Sequence, residues 1–253
     1  MSYNIKLGWK KSKEDNRDMK YTIPTQKINI SSYCDLSYKI RNIFTQQYND
    51  CVANGTSNLI TSIDDKMNID TPSRLFLYYN ARCEEGNGAQ YIDEGTTIRD
   101  AMKSITKYNF VDEKTYEYND SHILRPPPME IYNIAKMNPY HINYYRSIIN
   151  TEYNLKYILS EIKSCIIFGA ILYDSFTHLD WKNCVPNPDI ENDKLLGGHC
   201  MVIVGYDDVI SSFKILNSWG LSFGDNGFCY MSYKYVCSNL CTDFWIISGL
   251  EKD

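Results

Sequence analysis

Three polar side chains, distant in the chain, have the types needed to build a nucleophile. His199 follows two glycines, Gly197 and Gly198, and opens the apolar, β-branched run 200–204. Asn217 stands 18 positions later, directly before Ser218, Trp219 and Gly220. Both lie in short segments rich in Val and Ile and bounded by Gly or Asp, which read as strands. If the two strands are antiparallel neighbours, the amide can hold the imidazole, and the pair then needs a thiol or hydroxyl to act on. Cys51, 148 positions before His199, is placed where a helix begins. A thiol at a helix N-terminus feels the positive end of the dipole, which favours thiolate.

The elements that must position these groups can be read around them. Asn49 or Asp50 can cap the Cys51 helix, and Ala53, Leu59, Ile60 and Ile63 give it a buried face. The spacing predicts a second helix over 71–83, with Thr71 as cap and Pro72 at its first position. A polar loop over 84–95 leads to a third helix over 98–107, capped by Thr96 or Thr97. The prolines at 126–128 mark a junction before a helix over 129–136. An amphipathic helix over 154–164 presents Leu155, Ile158, Leu159 and Ile162 on one face. A strand over 166–172, a loop over 174–195, the His and Asn strands, and closing strands over 228–233 and 244–247 complete the chain.

The totals exclude several classes. At 253 residues, 43% hydrophobic and 23% charged, the composition is that of a globular protein with a substantial core. A net charge of −5 without a basic block points away from nucleic acid. The longest apolar stretch, 165–172, is too short to span a bilayer, so no membrane is expected. The first residues hold no apolar run fit for a signal peptide, which predicts a cytoplasmic or intracellularly packaged protein. On that basis most of the nine cysteines are expected to be reduced. Cys237 and Cys241 lack a second ligand pair, and His122, His141 and His178 stand alone, so no metal is expected. Cys200 should face away from His199, because side chains alternate along a strand.

The segments 197–207 and 217–228 resemble the His and Asn motifs of the papain-like cysteine peptidases, the papain and cathepsin family. Residues 50–54 resemble the nucleophile motif of the branch in which Val-Ala-Asn follows the cysteine, and the Cys51-to-His199 separation lies in the papain range. The likeness runs from about Leu7 to Ile247. It implies an α+β fold: a helical half over 41–125 with the nucleophile, a β-rich, barrel-like half over 126–253 with His and Asn, and a cleft between them. Residues 1–40 become a lead-in that either wraps the fold or crosses the cleft as a removable propeptide; wrapping is the expected arrangement.

The resemblance also assigns roles. Cys51 is the nucleophile, His199 its acid and base, and Asn217 the holder of the imidazole. A glutamine before the cysteine serves the oxyanion. The loop is one residue short of the usual spacing, so the role goes to Gln46, with Gln47 as the alternative. Gly95 and Gly198 should border an extended substrate, Trp219 should shield the His–Asn bond, and Phe223 should floor the leaving-group side. Asp50, beside the nucleophile, would raise the thiol pKa unless its side chain turns away to cap the helix. The expected partner is a peptide or protein substrate, with no cofactor. Two alternatives remain: a catalytically silent peptide-binding scaffold, and an acyl transferase or amidase using the same triad.

Overall fold

The computed structural model describes residues 5–64, 66 and 68–252. Its first helix, α1 (Cys51–Ser62), is buried along its whole length. A helix made of small and hydroxylated residues tolerates this because its polar side chains bond back to its own turns. The Thr56 hydroxyl donates to the Val52 carbonyl at 2.7 Å, and that of Ser62 to Leu59 at 2.8 Å. Gly55 lets α1 settle onto the sheet behind it: a Cβ there would lie 3.0 Å from Ile167 Cδ1 and 3.3 Å from Cys200 Sγ.

Helices α2 (Arg74–Glu85) and α3 (Ile98–Tyr108) pack beside α1. The second helix starts later than its sequence predicts. The chain stays extended through Thr71 and Pro72, because Ser73 donates its N–H to Val111 and Glu113 donates to the Thr71 carbonyl. Ser73 is therefore the cap, its hydroxyl accepting from the Phe76 N–H at 3.2 Å. Thr97 caps α3 as expected, accepting from the Asp100 N–H at 3.0 Å. Helix α4 (Met129–Lys136) begins directly after Pro128. The helix expected over 154–164 instead starts earlier, under a Thr151 cap, as α5 (Glu152–Tyr157), and widens into a π-turn over 158–162.

The sheet contains β1 (Tyr33–Asp35), β2 (Tyr140–Ser147), β3 (Ile166–Tyr173), β4 (Cys184–Val185), β5 (Leu195–Asp207), β6 (Ser212–Leu216), β7 (Phe228–Ser232) and β8 (Cys241–Lys252). A short helix, α6 (Tyr233–Val236), joins the last two. The strands run in the order β2-β8-β3-β5-β6-β7-β4, with β1 added on β5. All these pairings are antiparallel except β4 with β7. In β3 and β5, Ala170 faces His199 and Gly169 faces Cys200. In β5 and β6 the register ends with Val202 opposite Leu216, which leaves Asn217 one step past the strand end, on the His199 side. Among the described residues, no helix is long and apolar enough to cross a membrane.

The N-terminal segment does more than wrap. Residues 6–12 form a strap that bridges Trp9 to Thr96 beside α3, and the chain then reaches Ser147 of β2 through Lys20. This corrects the expected wrapping: the strap lies directly over the groove between α1 and β5.

Candidate active site

Three elements meet at the groove. The N-terminus of α1 brings Cys51, β5 brings His199, and the end of β6 brings Asn217. The His199 Nε2 atom lies 2.8 Å from Asn217 Oδ1, so this nitrogen carries the proton and donates it to the amide oxygen. The Trp219 ring lies beside the imidazole, with centroids 5.1 Å apart and planes tilted by 31°. Among the described residues, the other imidazole nitrogen, Nδ1, has no hydrogen-bond partner. Cys51 Sγ accepts from the Cys200 backbone N–H at 3.3 Å, which places sulfur against the residue next to His199. The Cys200 side chain is buried in the core, beside α1.

Of the two candidate glutamines, Gln46 is buried and Gln47 is exposed. Gln46 is fixed at both ends. Its N–H donates to the Ser218 carbonyl at 2.9 Å, and its side-chain oxygen accepts from the Ser218 hydroxyl. Its amide Nε2 donates to the Tyr48 carbonyl at 3.0 Å and to the strap carbonyl of Leu7 at 3.2 Å.

The strap fills the groove through its backbone. The Gly8 and Trp9 N–H groups each donate to the Gly198 carbonyl at 3.1 Å. Thr96 donates to the Gly8 carbonyl at 2.9 Å, and Lys10 donates to the Thr96 carbonyl at 3.0 Å. Trp219 Nε1 donates to the Lys6 carbonyl at 3.1 Å. Gly95 and Gly198 thus border an extended chain: a Cβ on Gly95 would lie 1.9 Å from the Gly8 carbonyl oxygen, and one on Gly198 2.2 Å from that of Trp9. Outside the groove, Lys10 pairs with Glu85 at 2.8 Å, and the Arg99 guanidinium holds Asp18 and the Lys13 carbonyl.

Covering the groove alters its electrostatics. Both Cys51 and His199 are 0% exposed. Burial pushes the Cys51 thiol far above its ordinary value, outweighing the Cys200 N–H, and Asp50 adds to the rise. Burial also lowers His199 to about 4, against the pull of Asn217. Under the strap the pair is therefore a neutral thiol beside a neutral imidazole.

Asp50 does not cap α1 with its side chain. One carboxylate oxygen accepts from the Tyr118 hydroxyl at 2.8 Å, and the other is buried without a partner among the described residues. The Arg74 guanidinium is stacked 3.6 Å from the Tyr118 ring centre, but its fork is engaged by Glu113 and Asn54. Burial consequently raises Asp50 to about 7. Its stabilisation is complete below the ordinary carboxylate value of 3.8 and is lost as pH rises through about 7. His199 works the other way: its contribution is complete above 6.5 and is lost as pH falls through about 4. The two slopes oppose each other between about pH 4 and 6.5. Asp50→Asn leaves the His199 slope uncompensated, so urea midpoints of the variant should climb with pH across this window relative to the parent. A parallel pair of curves would contradict the raised Asp50 value.

Phe223 is fully buried, stacked on Phe176 at 5.9 Å and edge-on to Trp219 at 5.1 Å, and so supports the Trp219 ring. That the lead-in crosses the groove was the second of the two arrangements the sequence offered, whereas the role of Asp243, which receives the Trp9 indole N–H, was not found in the sequence. The Gly8-Trp9 dipeptide in a polar lead-in is the one local signal of the strap. Among the described residues, no group of three or more His, Cys, Asp or Glu side chains is arranged to hold a metal ion.

This fold and arrangement are those of a known class. A model of the papain family cysteine proteases matches residues 79–242. The crystal structure of xylellain, a cysteine protease from Xylella fastidiosa, is 32% identical, covers 96% of this chain and 95% of its own, and superposes with a TM-score of 0.86. An uncharacterised peptidase C1-like protein of Acanthamoeba polyphaga mimivirus is also 32% identical, over 95% of this chain and 86% of that protein. A procathepsin B of Trypanosoma congolense shares the fold at 13% identity, with a TM-score of 0.73 and coverage of 98% of this chain and 87% of its own. The chain belongs to the papain family of cysteine proteases.

Proposed function

We propose that this protein hydrolyses peptide bonds with Cys51, His199 and Asn217, and that residues 1–40 are a propeptide holding it latent. The observation that carries the reading is the convergence of a helix-terminal thiol with an imidazole bonded to an amide at 2.8 Å while its second nitrogen is free. With the strap gone, water returns to the groove, and the helix dipole and His199 can draw the proton from Cys51. The thiolate then attacks the scissile carbonyl carbon. The carbonyl electron pair moves to oxygen, where the Gln46 amide and the Cys51 N–H meet it; one such donor contributes roughly 3 kcal/mol in comparable sites. Imidazolium His199 gives its proton to the leaving amine as the C–N bond breaks. The imidazole next takes a proton from water, whose oxygen attacks the thioester, and collapse releases the acid and regenerates the thiol. Asn217 holds the ring through Nε2, which keeps Nδ1 available to the thiol.

An extended peptide suits the groove better than a small amide, because the backbone groups of Gly198 and Thr96 already pair with a chain of that form. In this reading the helical half over 41–125 supplies the nucleophile and the β-rich half over 126–253 the acid and base. A silent scaffold would bury Cys51 and His199 in the same way, and labelling separates the two readings. An epoxysuccinyl-peptide inhibitor should modify Cys51 stoichiometrically once the strap is displaced, slowly while it is in place, and never in Cys51→Ala, read by peptide mass spectrometry. Folded, strap-released protein that stays unlabelled, or labels at other cysteines as fast, would sink the peptidase reading.

A further inference from the structure

Four residues, 47–50, separate Gln46 from Cys51, and one side chain from outside this segment holds both of its ends. The Gln47 N–H donates to the Tyr118 hydroxyl at 3.0 Å, and that hydroxyl donates to Asp50 Oδ2 at 2.8 Å. The hydroxyl thus accepts at the residue after Gln46 and donates at the residue before Cys51, 71 and 68 positions away. Tyr118 is itself well anchored. Its ring centre lies 3.6 Å from the Arg74 guanidinium and 5.4 Å from that of Tyr48. Arg74 is backed by the Phe44 ring at 4.2 Å and held by Glu113 at 2.7 Å. It also donates to Asn54 Oδ1 at 3.1 Å, and Asn54 Nδ2 returns to the Asp50 carbonyl at 2.9 Å. The network therefore reaches Asp50 from two directions. The middle of the segment is tied elsewhere, by the Asn49 N–H to Asp93 Oδ1 at 3.0 Å and by Asn49 Nδ2 to the Asp93 carbonyl at 2.7 Å.

We propose that Tyr118 is a positioning residue whose hydroxyl, backed by Asp50, fixes the Gln46 amide relative to the Cys51 thiol and so aims the oxyanion donor. The inference rests on the peptidase reading. An oxyanion donor stabilises only the place where charge develops, and a misplacement of about 1 Å can cost on the order of 10²-fold in rate. The Gln46 amide donates to the Tyr48 carbonyl within this same segment, so its aim follows the path of the backbone over 47–50. Clamping residues 47 and 50 through one oxygen leaves that path little freedom. The arrangement has a cost that marks it as specific. Asp50 gives up a side-chain cap bond to α1, and its second oxygen stays buried without a partner among the described residues, while its first is committed to Tyr118. At Gln47 the clamp uses the backbone N–H alone, so the Gln47 side chain is dispensable to it.

The experiment uses the full chain in two arms. The first is kinetic, with Gly8→Val protein, whose strap is displaced, titrated at Cys51 with the epoxide and given a fluorogenic peptide. Tyr118→Phe removes only the hydroxyl and should lower kcat about tenfold or more, with KM changed by less than about threefold. Asp50→Ala takes away the acceptor and should cost the same within about threefold, whereas Asp50→Asn keeps an acceptor and should restore most of the loss. With Gln46→Ala already present there is no amide to aim, so adding Tyr118→Phe should cost less than about twofold more. Alkylation by iodoacetamide builds no oxyanion, so its rate at Cys51 should stay within about twofold of the parent's in Tyr118→Phe. The second arm is amide hydrogen exchange with the strap in place, where Tyr118→Phe should speed exchange over residues 46–50 about tenfold or more. An unchanged kcat in Tyr118→Phe, a loss that multiplies fully with that of Gln46→Ala, alkylation slowed as much as kcat, or unchanged exchange over 46–50 overturns the assignment. If Tyr118→Phe fails to fold, Asp50→Ala and Asp50→Asn carry both arms. No cleavage of any peptide by titrated Gly8→Val protein would instead overturn the peptidase reading, while the exchange arm still decides whether the hydroxyl holds the segment.

Discussion

Gly8→Val should free the Cys51 thiol, raising its alkylation at pH 7 by roughly tenfold or more without unfolding the protein, since burial holds the thiol up and each unit of thiol pKa recovered is a tenfold change in thiolate. Gly8 is where the strap is pressed hardest against the enzyme. A Cβ there would lie 1.9 Å from the Asn49 carbonyl oxygen, and the residue sits at φ +125°, where side chains are strained whatever the space. Backbone cannot yield as a flexible side chain can, so the segment must lift. Lifting it breaks the paired bonds to Gly198 and Thr96 together, because Gly8 and Trp9 share the Gly198 carbonyl. Water then reaches two groups that burial chiefly keeps neutral, and the main cause of the raised thiol is removed. The measurement is the iodoacetamide rate at Cys51, with far-UV circular dichroism to confirm that the helices and sheet persist. An unchanged rate in folded Gly8→Val protein would mean that the strap is not what silences the thiol.

The candidate residues Cys51, His199 and Asn217 stand out in the sequence because their surroundings are local. Gly-Gly-His before a β-branched run and Asn-Ser-Trp-Gly after another each define a strand end, and Cys51 announces its helix by the small and apolar residues that follow. The helix caps at Thr97 and Pro128 were legible for the same reason. What escaped depends on partners far along the chain. Ser73 replaces Thr71 as cap because residues 111–113 hold the backbone extended across Pro72. The Asp50 carboxylate is not turned to its helix because Tyr118, 68 positions away, claims it. The stacking of Phe223 on Phe176, 47 positions away, is likewise invisible in the sequence. The strap was hardest of all. Its hold on the groove is made of backbone hydrogen bonds and glycine clearances, and its side-chain anchors, Glu85, Arg99 and Asp243, come from three separate elements. None of these leaves a periodic trace.

Gln46→Ala should act in opposite directions on the two states of the protein. In the covered state the Gln46 amide donates to the Leu7 carbonyl at 3.2 Å, one neutral bond worth about 1 kcal/mol, so its loss should speed Cys51 alkylation by no more than about fivefold. In the strap-released state the same amide is placed to meet a developing oxyanion, where the bond gains strength only as negative charge forms. Losing it should lower kcat by 10²–10³-fold with KM changed by less than about threefold, which corresponds to roughly 3–4 kcal/mol of transition-state stabilisation. Gln47→Ala, at an exposed position, should stay within about twofold of the parent in both assays. The contrast is informative because a merely structural Gln46 would loosen the strap and lower kcat by similar small factors, whereas a true oxyanion donor separates them by about two orders of magnitude. The buried anchorage to Ser218 makes the separation possible: the amide is held in place by Ser218 and the Tyr48 carbonyl before any ligand arrives, so it need not reorganise when the strap carbonyl leaves and a substrate carbonyl takes its position.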